Sequence, residues 1–386
     1  MRRTAVTGLL LLPAAILWVL RVRFLWVTLP DRIGHLAIEP DIYLKQKRLG
    51  LLPAHFGILV APADRAANRV LLDLWSGAIP TITHPLLVRA ALAFWRFRFL
   101  WLDFRPYMDA DIDEPATCYG VLSVWGKRPP LLQLPAELVA RGNAALAELG
   151  VPNEAWIACL HVRESGYAQH DDHLHNYRNC DISNFFLAAQ EIVRRGGWCI
   201  RMGGAETRLI PPMKQVIDYA HSAARSDWMD IYLSYRCRIF LGTSSGLVMV
   251  PTVFGRYCGT TNFVPISRPP PNPRGFGIPK LLRESASGRL WSFKEMVARE
   301  PTMPFGEDAG IPGVEILENS PDEIRDMVRE LLDEVDGKLV LDASDLERQR
   351  RFLSIYPSRH FATKAQTRIS PAFLRKHEHL LPPDGA

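Results

Sequence analysis

Two segments of this chain each read as a buried strand that runs straight into a polar turn. Together they constrain the fold more than any other feature. Trp156 to Gly166, WIACLHVRESG, delivers His161 and Arg163 at the end of its apolar run. Arg238 to Gly255, RIFLGTSSGLVMVPTVFG, delivers Thr243, Ser244, Ser245 and Gly246 to the start of an apolar helix. Small hydroxyl residues and glycine at a helix N-terminus offer free backbone N–H groups to an anion. An arginine at a neighbouring strand end adds a planar, permanently charged fork that matches phosphate. Arg163 and Thr243 lie about 80 residues apart, a spacing that one α/β nucleotide-binding domain accommodates. The pair reads as a pyrophosphate clamp. Taken singly, either motif reads rather as an ordinary strand–turn–helix with a surface arginine.

The surrounding pattern predicts a parallel α/β sheet. Strands are expected at 156–162, 198–202 and 238–241, and helices at 183–195, 228–236 and 247–254. Asp181 would cap the first of these helices and Gly196 would end it. A turn at Gly203-Gly204 leads to a helix or loop over 211–221. The N-terminal half opens in a Rossmann-like way: a strand at 23–29, a turn holding Gly34, a helix to Gly50, a strand at 56–61 and a helix at 65–76. Residues 86–102 read as one apolar-basic helix, lying in a lipid headgroup region or buried between domains. A helix over 131–150 precedes a boundary at Val151-Pro152. The proline- and glycine-rich stretch 265–279 reads as a surface loop, and 321–335 and 342–355 as charged amphipathic helices. The expected organisation is a membrane-associated helix (1–22), an acceptor domain (23–150), a nucleotide-sugar domain (151–290), and C-terminal helices and tail (291–386). The fold class is α/β, with two Rossmann-like domains facing a cleft.

Among 386 residues, 48% are hydrophobic and 23% charged, which excludes global disorder. A net charge of +5 is too mild to imply nucleic acid. Much of the positive charge sits beside aromatics in the first 105 residues, a pattern that suits an anionic membrane surface. Six scattered cysteines without a CxxC pair read as reduced, buried thiols. Met1-Arg2-Arg3 precedes an apolar run from Ala5 to Leu20, then Arg21 and Arg23. No small-residue cleavage site follows, so the run is not read as a secretory signal. It is short for a full span and contains Pro13. It reads as an uncleaved helix, monotopic or marginally spanning. The competing reading packs it on the protein's own fold.

Direct displacement at a sugar needs a base for the acceptor hydroxyl. His35 and Glu39, after the first strand, are the candidates. Glu39-Pro40 suits a helix start better than an interior, where Glu39 would otherwise be a solvated first-turn carboxylate. Two segments tempt a metal reading. Asp109, Asp111 and Asp113 in MDADIDEP have Asp-x-Asp spacing but read as an exposed loop between prolines. Tyr167 to His175, YAQHDDHLH, is dense in ligand types but lacks helical placement and reads as a solvated or substrate-facing loop. Arg178 beyond it would add a second phosphate contact. No metal or cofactor is expected.

Several longer motifs occur in one order: RIGHLAIEPDIYL (32–44), HVRESGY (161–167), HNYRNCDISNF (175–185), IRMGG (200–204), SDWMDIYL (226–233) and FLGTSSG (240–246). With them the chain resembles the largely uncharacterised bacterial glycosyltransferases found with surface-polysaccharide biosynthesis. More remotely, 156–255 is similar to the nucleotide domain of α-1,6- and protein O-fucosyltransferases, which are of the GT-B type. That resemblance implies that His161 and Asp230 contact the nucleoside, and that Arg163, Ser244 and Ser245 hold the pyrophosphate. Arg201 and Gly203 of IRMGG, with Arg178, Thr243 and Gly246, complete the nucleotide-sugar set. Glu164 stands where the fucosyltransferases have a second basic residue, and Gly246 where they have glutamine.

The expected activity is a metal-independent, inverting transfer of a hexosyl or deoxyhexosyl group. It would run from a nucleoside-diphosphate sugar to a glycan or lipid-linked acceptor, at the cytoplasmic face of a bacterial inner membrane. Two other classes fit parts of the sequence. One is a metal-dependent hydrolase built on His170 to His175. The other is a non-catalytic membrane-docking component of a polysaccharide assembly complex.

Overall fold

The computed structural model describes residues 2–108, 117–165, 176–299 and 313–383. The aspartates at 109, 111 and 113 and the YAQHDDHLH segment lie outside them.

The chain forms a mixed α/β fold with two parallel sheets. The first holds β1 (Val22–Trp26), β2 (Phe56–Val60), β3 (Thr81–Ile82) and β4 (Trp101–Asp103), in the order β3-β2-β1-β4. The second holds β5 (Ile157–His161), β6 (Trp198–Met202), β7 (Val216–Asp218), β8 (Ile239–Thr243), β9 (Tyr257–Phe263) and β10 (Gly275–Pro279). An antiparallel ribbon follows, β11 (Leu281–Glu284) with β12 (Val314–Leu317). The edge strand β13 (Arg368–Ile369) completes the second sheet, whose order is β13-β10-β9-β8-β5-β6-β7. Every residue of β5, β8 and β10 is buried. That is why these strands read as unbroken apolar runs rather than alternating ones.

Four N-terminal helices matter below: α1 (Arg2–Val19), α2 (Ile33–Arg48), α3 (Arg69–Ala78) and α4 (Pro85–Ala93). The strands of the first sheet divide their side chains in the two-residue alternation of a pleated strand. Leu25, Val27, Leu59 and Ala61 join α2 and α3 in a large core. Phe24, Trp26, Ile58 and Val60 face the other way, into a separate aromatic-rich cluster under α1 and α4. The large core is continuous across both sheets, running from Leu25 and Ile38 to Ile157, Leu241 and Val250.

Several sequence expectations need correction. Residues 86–102 are not one helix: α4 ends at Ala93, two 3₁₀ turns follow, and β4 begins at Trp101. The stretch 265–279 is not all surface loop, because its last five residues form buried β10. Residues 211–221 contain β7 instead of a regular helix. The segment 291–386 is no appended tail, since β13 extends the second sheet and the helix Pro321–Val335 packs into the same core. Among the described residues no helix is long and apolar enough to cross a membrane. Ala14 is buried and Leu10 and Leu17 pack on the aromatic cluster, so one face of α1 lies on the protein itself.

Pro40 lies inside α2, not at its start. A proline there has no N–H to give the carbonyl of Leu36. The indole N–H of Trp75, on α3, donates to that carbonyl at 2.8 Å instead. This substitution from a neighbouring helix lets α2 run unbroken to Arg48 and fixes Glu39 inside it.

Candidate functional site

The carboxyl ends of the two sheets meet. After β1 the chain turns through Thr28 into α2. After β5 and β8 it turns at His161–Arg163 and at Thr243–Gly246. The contact is backbone on backbone: a Cβ added to Gly34 would sit 2.9 Å from the Cα of Gly246. Glycine is required there for close approach, not for an unusual backbone angle. Instead of facing each other across an open cleft, the two units are pressed together at this point.

On the α2 side, Glu39 is fully buried. Its carboxylate accepts from the backbone N–H of Thr28 at 2.8 Å and lies 2.7 Å from Nδ1 of His35. Burial pushes its pKa up, opposed by His35 and by the Thr28 N–H. The His35 side chain keeps 20% of its surface accessible, while that of Glu39 keeps none. With Glu39 ionised, Nδ1 of His35 donates to it and Nε2 is left as the basic nitrogen. This is the arrangement by which a carboxylate orients an imidazole and supports its protonation.

On the second sheet, Thr243 is fully buried and its hydroxyl accepts from the backbone N–H of Arg163 at 2.9 Å. Thr243 thus joins β8 to the end of β5 and sets the position of Arg163. The Nε of Arg163 donates to Asn179 at 3.1 Å. Ser245 Oγ lies 3.2 Å from Nδ1 of His161. Burial, then the cations of Arg201 and Arg163, pushes His161 down to about 4, so its ring is neutral at pH 7. Ser244, Ser245 and Gly246 keep part of their surface accessible. The helix expected after them is shorter than predicted: a 3₁₀ turn at Gly246–Val248, then Met249–Val253. So short an element has little macrodipole, and any positive charge for an anion here would come from side chains.

That charge is present. Arg178 is largely buried, and its pKa is lowered by burial and by the nearby cations of Arg163 and Arg32. Its Nε has no hydrogen-bond partner among the described residues. Three arginines from three elements therefore converge: Arg163 past β5, Arg178 in a 3₁₀ turn, and Arg32 just before α2. Arg32 was not singled out from sequence. The signal was its place two residues before Gly34 in RIGHLAIEP, but no pattern connects it to Arg163 and Arg178, more than 130 positions away.

Not every expected residue joins this set. Arg201 is 1% exposed and spends its guanidinium on Asp218 at 3.0 Å, Glu164 at 2.6 Å and the carbonyl of Arg208 at 3.0 Å. That internal network engages its guanidinium and gives Glu164 a structural partner. The carbonyl of Gly203 accepts from Arg225 at 2.9 Å. Asp230 accepts from the hydroxyl of Tyr219 at 2.8 Å, and burial pushes it up to about 6. Among the described residues, no group of three or more His, Cys, Asp or Glu side chains is placed to hold a metal ion.

A cleft of about 760 Å³ opens beside Glu164 and Asn179. Its charged lining is Glu164, Asp181, Glu206 and Glu318 against Arg208 and Lys280. That acidic surplus repels a diphosphate. The cationic trio, which adjoins the cleft through Asn179, attracts one.

No protein-family model matches the chain, and no curated protein matches it by sequence. Solved structures resemble it distantly. The glycosyl transferase family 9 protein from Veillonella parvula is 12% identical, over 62% of this chain and 80% of its own, with a TM-score of 0.38. The ADP-heptose heptosyltransferase II of E. coli is 14% identical, over 62% and 84%, at 0.35. The spinosyn forosaminyltransferase SpnP is 11% identical, over 93% and 99%, at 0.31. At this distance the chemistry of the chain has to be argued from its own residues.

Proposed function

We propose that this chain is a GT-B-type glycosyltransferase. In this reading it moves a sugar from a nucleoside-diphosphate sugar to a hydroxyl of a glycan or lipid-linked acceptor, with inversion and without a metal. The bacterial surface-polysaccharide setting belongs to the same proposal and rests on the sequence motifs. One observation carries the chemistry: a histidine–carboxylate pair and a three-arginine cluster are brought to the junction of two parallel sheets.

The acceptor oxygen attacks the anomeric carbon as the bond from that carbon to the β-phosphate oxygen breaks. The hydroxyl proton passes to Nε2 of His35. Glu39, which is buried, does not touch the acceptor; it orients the ring and offsets the imidazolium charge. The electron pair leaves on the diphosphate, where negative charge grows. Arg163, Arg178 and Arg32 stabilise that charge more strongly than they stabilise the ground state. Ser244 and Ser245 offer hydroxyls and backbone N–H groups beside them.

A thermal-shift panel of UDP, GDP, CDP and ADP in EDTA tests the reading, because a ligand that binds the native state raises its stability. One diphosphate should raise the melting temperature of the wild type and fail to raise that of Arg163→Ala. If none of the four has an effect, the diphosphate site is elsewhere or absent.

A further inference from the structure

The layer on the outer face of the first sheet has two unusual properties. The described residues expose 18 large apolar side chains. Seven lie on α1 and the turn after it, among them Leu9, Leu12 and Val19 at 80, 71 and 70% exposure. Three more are Leu86 and Leu87 on α4, at 65 and 57%, and Phe99 in the turn after it, at 49%. Helices α1 and α4 and this turn rest on one aromatic cluster, so they cover the same side of the sheet. Isolated exposed leucines need no explanation, but a concentration like this marks an interaction surface.

The second property is charge. Residues 2–26 and 81–102, which supply α1, β1, β3, α4, the turns after it and the start of β4, contain seven arginines and no aspartate or glutamate. The acids that flank these stretches in the chain are Asp31, Asp73 and Asp103, of which Asp103 is paired with Arg105. A face of one sign opposes a second copy of itself in a two-fold dimer, where like would meet like. Among the described residues no helix is long and apolar enough to cross a membrane. A face that exposes many apolar side chains, with Trp18 and Phe99 among them, and whose chain segments carry arginines and no acids matches the headgroup boundary of an anionic bilayer.

We infer that this face is a monotopic docking surface for anionic phospholipid. Helix α1 lies along the bilayer and α4 with the Phe99 turn forms a second foot. The diphosphate site and the His35–Glu39 pair lie on the opposite side of the sheet, with α2. The inference does not depend on the reaction proposed above. Were that reaction correct, the surface would hold the enzyme where a lipid-linked acceptor resides.

Flotation of the full chain with vesicles of phosphatidylcholine alone, or mixed with phosphatidylglycerol, tests this. The protein should float with the mixed vesicles at low salt, much less with phosphatidylcholine alone, and less again as salt rises. Leu12→Asp with Leu86→Asp should lower partitioning more than tenfold. Arg89→Ala alone should lower it about fivefold. These side chains are exposed, so the variants should melt like the wild type and keep any diphosphate-induced stabilisation. Wild-type protein that stays with the soluble fraction overturns the inference, as does flotation indifferent to lipid charge. So does a dimer by light scattering that Leu12→Asp dissociates, which would assign the face to a second copy.

Discussion

The two turns that meet at Gly34 and Gly246 are built alike and equipped differently. Each follows a parallel strand and leads into a helical segment whose first residues press on the other. The turn after β1 leads into a 16-residue helix and carries a buried carboxylate locked to a partly accessible histidine. The turn after β8 leads into only a short helical piece, and its neighbours supply hydroxyls and arginines. In the proposed reaction the first would take a proton, and the second would hold a diphosphate. The difference teaches that one strand-end geometry can serve opposite charges. The outcome depends on whether burial isolates an acid with one histidine or gathers cations from several elements.

This contrast can be broken experimentally. The largest effect is expected at the proton-handling turn. His35→Ala should lower kcat by about 100-fold or more while leaving diphosphate affinity unchanged, the usual scale of lost general-base assistance. Glu39→Gln should also lower kcat. Because Glu39 acts through His35, the double variant should be no worse than His35→Ala alone. Stopped-time assays at saturating acceptor decide this, and additive losses would assign Glu39 an independent role.

The anion-holding turn should answer differently. Arg163→Ala should weaken diphosphate binding by about 10- to 100-fold and nucleoside binding hardly at all, since it removes one charge-assisted contact. Calorimetry on the folded variant reads this directly. Unchanged affinity would dissolve the distinction between the two turns.

A smaller effect tests whether the turns must touch. Gly34→Ala places a methyl against the backbone of Gly246, which has no side chain to move aside. A loss of about 1–3 kcal/mol in urea denaturation is expected, as for other overpacked sites. No loss would mean the junction is looser than the contact implies.

The smallest effect lies outside both turns. Asp230 goes from an ordinary value of 3.8 to about 6 in the fold, so between these values the folded state keeps a proton that the unfolded state releases. Stability from this group is therefore greatest at low pH and falls as pH rises toward 6. Asp230→Asn, which can still accept from Tyr219, should remove that slope. Relative to it, the wild type should lose on the order of 2 kcal/mol between pH 4 and pH 7. Donor affinity in the same variant tells whether Asp230 also reaches the nucleoside. A loss adds it to the anion-holding side, and no change leaves it structural.

Much of the second sheet was legible because its strands are buried on both faces, and that burial writes itself as uninterrupted apolar runs ending at polar residues. His161, Arg163 and the Thr243–Gly246 turn fall at those ends. The short segments were less legible. β7 has three residues and β13 two, lengths at which periodicity carries no signal. The run 86–102 misled because an aromatic, arginine-rich layer looks the same whether one helix or several turns present it.

The sequence by itself determined the strand-end chemistry, the acid-free basic character of the N-terminal layer and the α/β alternation, since each depends on residues close together in the chain. Only tertiary structure decided which of those groups act together. Trp75 lets α2 pass through Pro40, and that buries Glu39 and leaves His35 as the accessible partner. Arg201, at a strand end like Arg163, is consumed by Glu164 and Asp218. Arg32, unremarkable locally, is carried near Arg178 by the packing of one sheet on the other. Charge, burial and reach at a site are sums over neighbours in space, and neighbours in space are what a linear pattern does not record.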